Sequence, residues 1–347
     1  FSFFYLLIHT IFKFKIFYIR YMKRLILIII SCFVIQFSAA QYDGYSSNSW
    51  ENQLEIEDLF LKHIDKTSFK KHLQKLTERP HVVGSKTNEE VIRYIGEVMN
   101  EAGLDVINYP YDVYLPKHPG SSLIEIVTPS RQVLNQKEDI ISDDPFTKDS
   151  LLWKGWNAFS GSGDVTAEIV YANYGRKEDF ETLKELGVDI KGKIVIARYG
   201  GNFRGYKAKF AEANGAAGLI IYTDPKDSGF TKGLVYPEGP YYNESTIQRG
   251  SLLTTDFTGD PLTPFEPALP LDGKKKIKRL DPKEAQLHTI PVTPIGYGEA
   301  EKILGQMKGE VVPQSWQGGL PFTYRLEGGT SLTVRLKVDQ KIDFVRA

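Results

Sequence analysis

The sequence predicts a mixed α/β fold, and three observations predict it: two amphipathic helical patterns come first, short β-rich runs bounded by Gly, Pro, Asp or Asn follow, and two of those runs flank an Ala-rich helix. A length of 347 residues suits roughly two domains with a sizeable core. Lys plus Arg equals Asp plus Glu at 43 each, so no global field favours nucleic acid. The densest basic run, Lys274-Lys275-Lys276-Ile277-Lys278-Arg279, stands alone and reads as a solvated loop.

Residues 1–40 differ in kind from the rest. Met22-Lys23-Arg24 opens a charged region, an apolar run follows, and Ser38-Ala39-Ala40 forms a small-residue cleavage site. This is the pattern of a signal peptide starting at Met22, with the apolar stretch before it as over-extended translation and Gln41 as the first mature residue. A secreted or periplasmic location is expected. A lipoprotein anchored through Cys32 is the competing reading, against which Phe33 to Phe37 continue the apolar run; an uncut signal would instead leave a membrane anchor. Cys32 is the chain's one cysteine, so the mature protein has no disulfide and relies on its core.

Residues 41–54 are polar and predict a loose linker. Thr67 or Ser68 caps a helix carrying Phe69, Leu73 and Leu76, closed by Pro80. Thr87-Asn88-Glu89-Glu90 has the form of a capping box, followed by Val91, Ile92, Ile95, Val98 and Met99 on one face and a stop at Gly103. Both helices need a partner surface, and no parallel sheet lies nearby in sequence to supply it. From Tyr109 onward Ile124–Val127, Val165–Tyr171, Lys193–Arg198 and Gly218–Tyr222 read as strands, with a helix over Tyr206–Asn214. A further helix is expected over Glu299–Met307, after Pro291 to Gly296. Ser331 to Val345 alternates as a strand, with Leu332, Val334, Leu336 and Val338 on one side. No internal repeat is evident.

Four segments in order carry a resemblance: Pro80-His81-Val82-Val83-Gly84-Ser85, Tyr171 to Phe180, Gly192 to Gly200, and Gly259-Asp260-Pro261-Leu262-Thr263-Pro264. Together they resemble glutamate carboxypeptidase II and its relatives, the M28 zinc peptidases that include N-acetylated alpha-linked acidic dipeptidase and the transferrin receptor branch. The likeness runs from about residue 55 to the end. It implies a protease-associated domain, β-rich with packed helices, inserted in an incomplete zinc-aminopeptidase-like α/β domain. On that reading 55–112 are the first helices of the catalytic domain, 113–330 the protease-associated domain, and 331–347 the first strand of the truncated catalytic domain. The resemblance also implies two zinc ions whose ligands come after the point where this chain stops. None of the mature histidines, His63, His72, His81, His118 and His288, is read as part of a two-metal site. The chain alone is therefore not expected to hydrolyse peptides.

Arg204, in Tyr199-Gly200-Gly201-Asn202-Phe203-Arg204-Gly205, matches the family arginine that pairs with the free α-carboxylate of the substrate. A guanidinium fork binds a planar carboxylate bidentately, and an internal peptide offers no such charge. A surface salt bridge is the plainer alternative. Ser251 stands where the best-known members have an asparagine that helps hold the terminal residue, so glutamate preference is in question. By resemblance Thr263 and the residue three further on, Glu266 here, supply oxygens to half of a structural calcium site; an aromatic residue is more usual at the second position. Trp153, Trp156 and Phe159 pack in the core or line a cleft, Arg176 and Lys177 cap a helix, and Asn243-Glu244-Ser245 is a glycosylation acceptor where the source glycosylates exported proteins.

The function these readings imply is part of a secreted zinc carboxypeptidase or dipeptidase acting on short peptides with a free C-terminus, dimeric in its full-length form if it follows the family. A non-catalytic binding module of the transferrin receptor type is the alternative, from which Phe203-Arg204-Gly205 distinguishes it, because that receptor lacks the arginine.

Overall fold

The computed structural model describes residues 21–22 and 44–347. The signal peptide apart from Met22, Cys32 and the cleavage site after Ala40 lie outside the described residues. Among the described residues no helix is long and apolar enough to cross a membrane. The chain divides into two compact units, residues 1–74 and 75–347.

In the first unit, α1 (Ser47–Lys62) corrects the expectation of a loose linker over 41–54. The Ser46 hydroxyl accepts from the Ser49 amide at 3.3 Å and caps it. Side-chain pairs one turn apart, Gln53 with Glu57 and Asp58 with Lys62, support a helix that composition alone read as unstructured. The next helix, α2 (Lys66–Thr77), is capped by Asp65 rather than by Thr67 or Ser68. The Asp65 carboxylate accepts from the amides of Thr67 at 2.9 Å and Ser68 at 3.2 Å, and these bonds with the Thr67 hydroxyl lower its pKa.

The first helix lying wholly in the second unit is α3 (Lys86–Glu101). Ser85 caps it, accepting from the Asn88 amide at 3.2 Å, and the proposed capping residue Thr87 lies buried inside the first turn. Gly103 takes φ +81 where the helix stops. Ile92, Ile95 and Met99 remain exposed along the apolar stripe.

The chain then runs through β1 (Asp112–Pro116), β2 (Ser121–Thr128), β3 (Gln132–Val133), β4 (Asn157–Ala158), β5 (Gly163–Tyr171), α4 (Lys177–Glu185), β6 (Ile194–Arg198), α5 (Arg204–Ala213), β7 (Gly218–Tyr222), α6 (Pro225–Ser228), β8 (Gly250–Ser251), β9 (Val292–Ile295), α7 (Tyr297–Leu304), β10 (Thr333–Asp339) and β11 (Ile342–Arg346). Seven strands form one sheet in the order β3-β2-β10-β5-β6-β7-β9. The half from β5 to β9 is parallel and the half from β3 to β5 antiparallel. In the parallel half β6 and β7 are buried throughout, as their unbroken apolar runs require. Phe180 and Leu183 of α4, Ala208 and Ala211 of α5, and Ala300, Ile303 and Leu304 of α7 join their core. Small residues on α5 let that helix lie close to the sheet.

Two features were not read from the sequence. Pro294 hid β9, because a proline argues against an interior strand; β9 is an edge strand, where a missing donor costs no ladder bond. The second is a correction: β10 lies between β2 and β5, with Leu336 opposite both Ile124 and Val165, so residues from 333 belong to the central sheet and the boundary placed at 331 falls inside it. Leu332, Val334, Leu336 and Val338 are all buried, as the alternation predicts. The final stretch is nevertheless two strands. The chain breaks at Gln340, whose side-chain amide bonds Ser160 N and Asn157 O, and β11 then pairs with β1.

Asp112 fastens that last ribbon. Its carboxylate accepts from Arg346 Nε at 2.5 Å and Nη2 at 3.0 Å, and from the Leu271 amide at 2.6 Å. Arg346 holds the Asp112 pKa below the usual carboxylate value. A folded pKa below the unfolded value of about 3.9 gives a contribution present at neutral pH and lost as pH falls through the folded value. Hydrogen exchange of the β1–β11 amides, corrected for its intrinsic pH dependence, is expected to quicken below about pH 4 relative to β6, and in Asp112→Asn to be quick already at pH 7. Unchanged relative protection in acid would remove Asp112 as the fastener.

Candidate substrate-recognition site

The parallel strands end in loops, and the loop from β6 into α5 carries the predicted arginine. Gly200 at φ +92 and Gly201 at φ +73 turn the chain so that Arg204 becomes the first residue of α5. Its guanidinium lies 5.8 Å from the ring centre of Tyr199 and 5.4 Å from that of Phe203. Its Nη1 donates to the Ser251 carbonyl at 3.4 Å. Two candidates 47 positions apart are thereby brought together.

Backbone proximity explains the meeting. A Cβ on Gly205 would fall 2.2 Å from the Leu252 carbonyl oxygen, and one on Gly250 would fall 2.5 Å from Arg204 Nη1. The start of α5 therefore presses on β8, which pairs in parallel with β4. Ser251 meets Arg204 through its carbonyl rather than its hydroxyl. The hydroxyl oxygen accepts from Leu253 N at 3.0 Å, which leaves its proton for another acceptor.

Beneath this contact lie two residues that the sequence reading missed. Asn157, 1% exposed, donates through Nδ2 to the Tyr199 hydroxyl at 3.1 Å and to the Gly250 carbonyl at 3.2 Å. Tyr199 in turn donates to the Gln248 carbonyl at 2.7 Å, and burial pushes its pKa up to about 12, so it stays neutral. An asparagine inside the aromatic run Trp156-Asn157-Ala158-Phe159 was the available signal. Asn157 Oδ1 and Arg204 Nε are both buried without a hydrogen-bond partner.

The pairing of other arginines sharpens the role of this one. Arg249 forks onto Glu138, Arg335 onto Asp164 and Arg346 onto Asp112, whereas no carboxylate among the described residues pairs with Arg204. The Arg204 guanidinium is thus a half-buried cation held by two rings and a weak carbonyl contact.

The other candidates are dispersed. A Cβ on Gly259 would lie 2.6 Å from the Thr263 carbonyl oxygen and 3.1 Å from that of Glu266, so these oxygens do converge, and the buried Thr263 hydroxyl has no partner. Three oxygens are fewer than the six to eight that calcium takes, so the residues present do not complete such a site. His63-Ile64-Asp65 has the His-x-Asp spacing that the sequence reading passed over, but Asp65 is occupied as the cap of α2. Among the described residues no group of three or more His, Cys, Asp or Glu could hold a metal ion.

Phe159 is core, while Trp153 and Trp156 line an open cleft of about 490 Å³ with Pro80, His81 and Phe146. Arg176 occupies the cap position of α4, its amide donating to Asp179. Of the basic run Lys274–Arg279, the lysines are exposed, but Arg279 is tied by Nη2 to the Leu269 carbonyl at 2.7 Å.

Residues 165–255, from β5 to just past Ser251, match the PA domain family. The chain carries a PA domain. Arg204 and Ser251 fall within the match, and Thr263 and Glu266 beyond it. The chain is 34% identical over 327 residues to the glutamate carboxypeptidase 2 homolog of Caenorhabditis briggsae, covering 89% of this chain and 42% of the relative. It is 32% identical over 318 residues to aminopeptidase NAALADL1 of Rattus norvegicus, covering 87% and 41%. The resemblance to the glutamate carboxypeptidase group is thus shown, and the chain spans less than half the length of these curated relatives. Among solved structures, an aminopeptidase from Aneurinibacillus sp. strain AM-1 overlays with a TM-score of 0.39 at 17% identity, covering 82% of this chain and 47% of that one. Within the matched span, Arg204 stands at the start of the helix between β6 and β7.

Proposed function

We propose that this chain is the front part of an exported zinc-dependent exopeptidase of the carboxypeptidase or dipeptidase type, and that its PA domain recognises the free C-terminal carboxylate of a short peptide. The observation that supports this most is the Arg204 guanidinium, set between Tyr199 and Phe203 with no carboxylate partner among the described residues. Arg204 would fork onto the terminal carboxylate, and the Ser251 hydroxyl would donate to a neighbouring acceptor. An amidated or internal peptide lacks the charge, so it leaves the guanidinium unpaired. The hydrolytic half of the proposal rests on the relatives, whose names are those of carboxypeptidases and aminopeptidases. The zinc would supply an activated water when bound.

The test is cleavage by the complete gene product, supplied with zinc, of a blocked dipeptide as free acid and as C-terminal amide. Cleavage of the acid with little of the amide is expected. Equal rates would remove carboxylate recognition, and no cleavage of either would move the protein to the binding-module reading.

A further inference from the structure

Lys207 lies one turn after Arg204 on α5 and is fully buried. Its Nζ donates to the carbonyl of Tyr174, to the carbonyl of Gly200 at 2.7 Å and to Asn202 Oδ1 at 2.6 Å. Three N–H groups thus meet three neutral acceptors. Gly200 and Asn202 belong to the loop that also carries Tyr199 and Phe203, the two rings against which the Arg204 guanidinium rests. Asn202 Nδ2 adds a bond to the Gly175 carbonyl at 3.2 Å, so the loop after β6 is tied to the loop after β5. Tyr174 is fixed from the other side: the Arg198 guanidinium sits 4.1 Å from its ring centre and its hydroxyl donates to Asp227.

We infer that Lys207 is a positioning residue for Arg204, holding the Tyr199–Phe203 loop so that the guanidinium faces an incoming carboxylate. The inference rests on the recognition reading above and adds to it a residue that touches no substrate. It also adds a pH dependence. A neutral amine has two hydrogens for three acceptors, so loss of the proton releases one tie. Burial dominates the environment and brings the Lys207 pKa down to about 7; the carboxylates of Asp179 and Asp227 favour the ammonium, and the guanidinium groups of Arg176 and Arg198 oppose it. Loss of the Lys207 proton between pH 7 and pH 9 therefore weakens carboxylate binding through the clamp.

The experiment titrates the full chain with N-acetyl-alanyl-alanine and with its C-terminal amide by calorimetry at pH 6.5 and pH 9, using wild type, Lys207→Met and Asn202→Ala. Wild type is expected to prefer the acid, with the preference falling about tenfold at the higher pH, as one lost charge-assisted bond implies. Lys207→Met is expected to melt cooperatively and to have lost the preference at both pH values. A cooperatively melting Lys207→Met that keeps the full preference overturns the inference and leaves the Arg204 reading standing. Where Lys207→Met does not melt cooperatively, Asn202→Ala decides: a reduced preference is expected, and an unchanged one overturns the inference. No preference in wild type itself would defeat the Arg204 reading and the inference with it.

Discussion

Arg204→Ala is expected to weaken binding of peptides with a free C-terminus by roughly 30-fold to several thousand-fold, corresponding to about 2–5 kcal/mol for removing one partner of a desolvated charge pair. The guanidinium has no other carboxylate to satisfy among the described residues, so the substitution should cost recognition far more than stability. Its rings remain: Tyr199 is held by Asn157 and Gln248 without any help from Arg204. Arg204→Lys should recover only part of the loss, since a point charge cannot reproduce the bidentate fork. In the complete gene product the effect should appear in KM for the free acid and be absent for the amide. Unchanged binding of the acid would take Arg204 out of the site.

The largest stability loss is expected for Asp224→Ala. This carboxylate is 1% exposed and sits just past β7. Its Oδ2 accepts from the hydroxyls of Tyr222 at 2.8 Å and Tyr324 at 2.7 Å, and its Oδ1 from the amides of Lys226 at 2.9 Å and Gly319 at 2.8 Å. Burial and the nearby Asp224 charge raise the pKa of both tyrosines, so both remain donors. Alanine would orphan four donors in a site closed to water. At about 1 kcal/mol for each, the loss is on the order of 4 kcal/mol, or about 8–16 °C in melting temperature for a domain of this size. Asp224→Asn keeps an acceptor oxygen and should lose less. Near-equal melting of Asp224→Ala and wild type would show that the four bonds are replaced by solvent.

Local patterns were the legible part of the fold. The apolar runs of β6 and β7, the alternation around Leu336 and the stop at Gly103 each depend on neighbours a few residues away. Helix caps were less legible, because several polar residues stand in a row at each start and only geometry selects Asp65 over Thr67, or Ser85 over Thr87. The buried polar set of Arg198, Lys207 and Asp224 was not legible either, since charged residues ordinarily predict exposure.

For the site, the sequence by itself determined that an arginine follows a glycine-bearing turn at the head of an Ala-rich helix, and that a serine follows Arg249-Gly250. It also determined the order of strand and helix from β5 to β7, because hydrophobic period and turn chemistry are local. The tertiary structure alone decided that Arg204 and Ser251 meet, that Asn157 and Tyr199 support them, and that β10 enters the sheet between β2 and β5. Each of these depends on which distant backbones approach closely enough to exclude a Cβ, at Gly205 and Gly250 above all, and that distance is set by packing across the whole sheet.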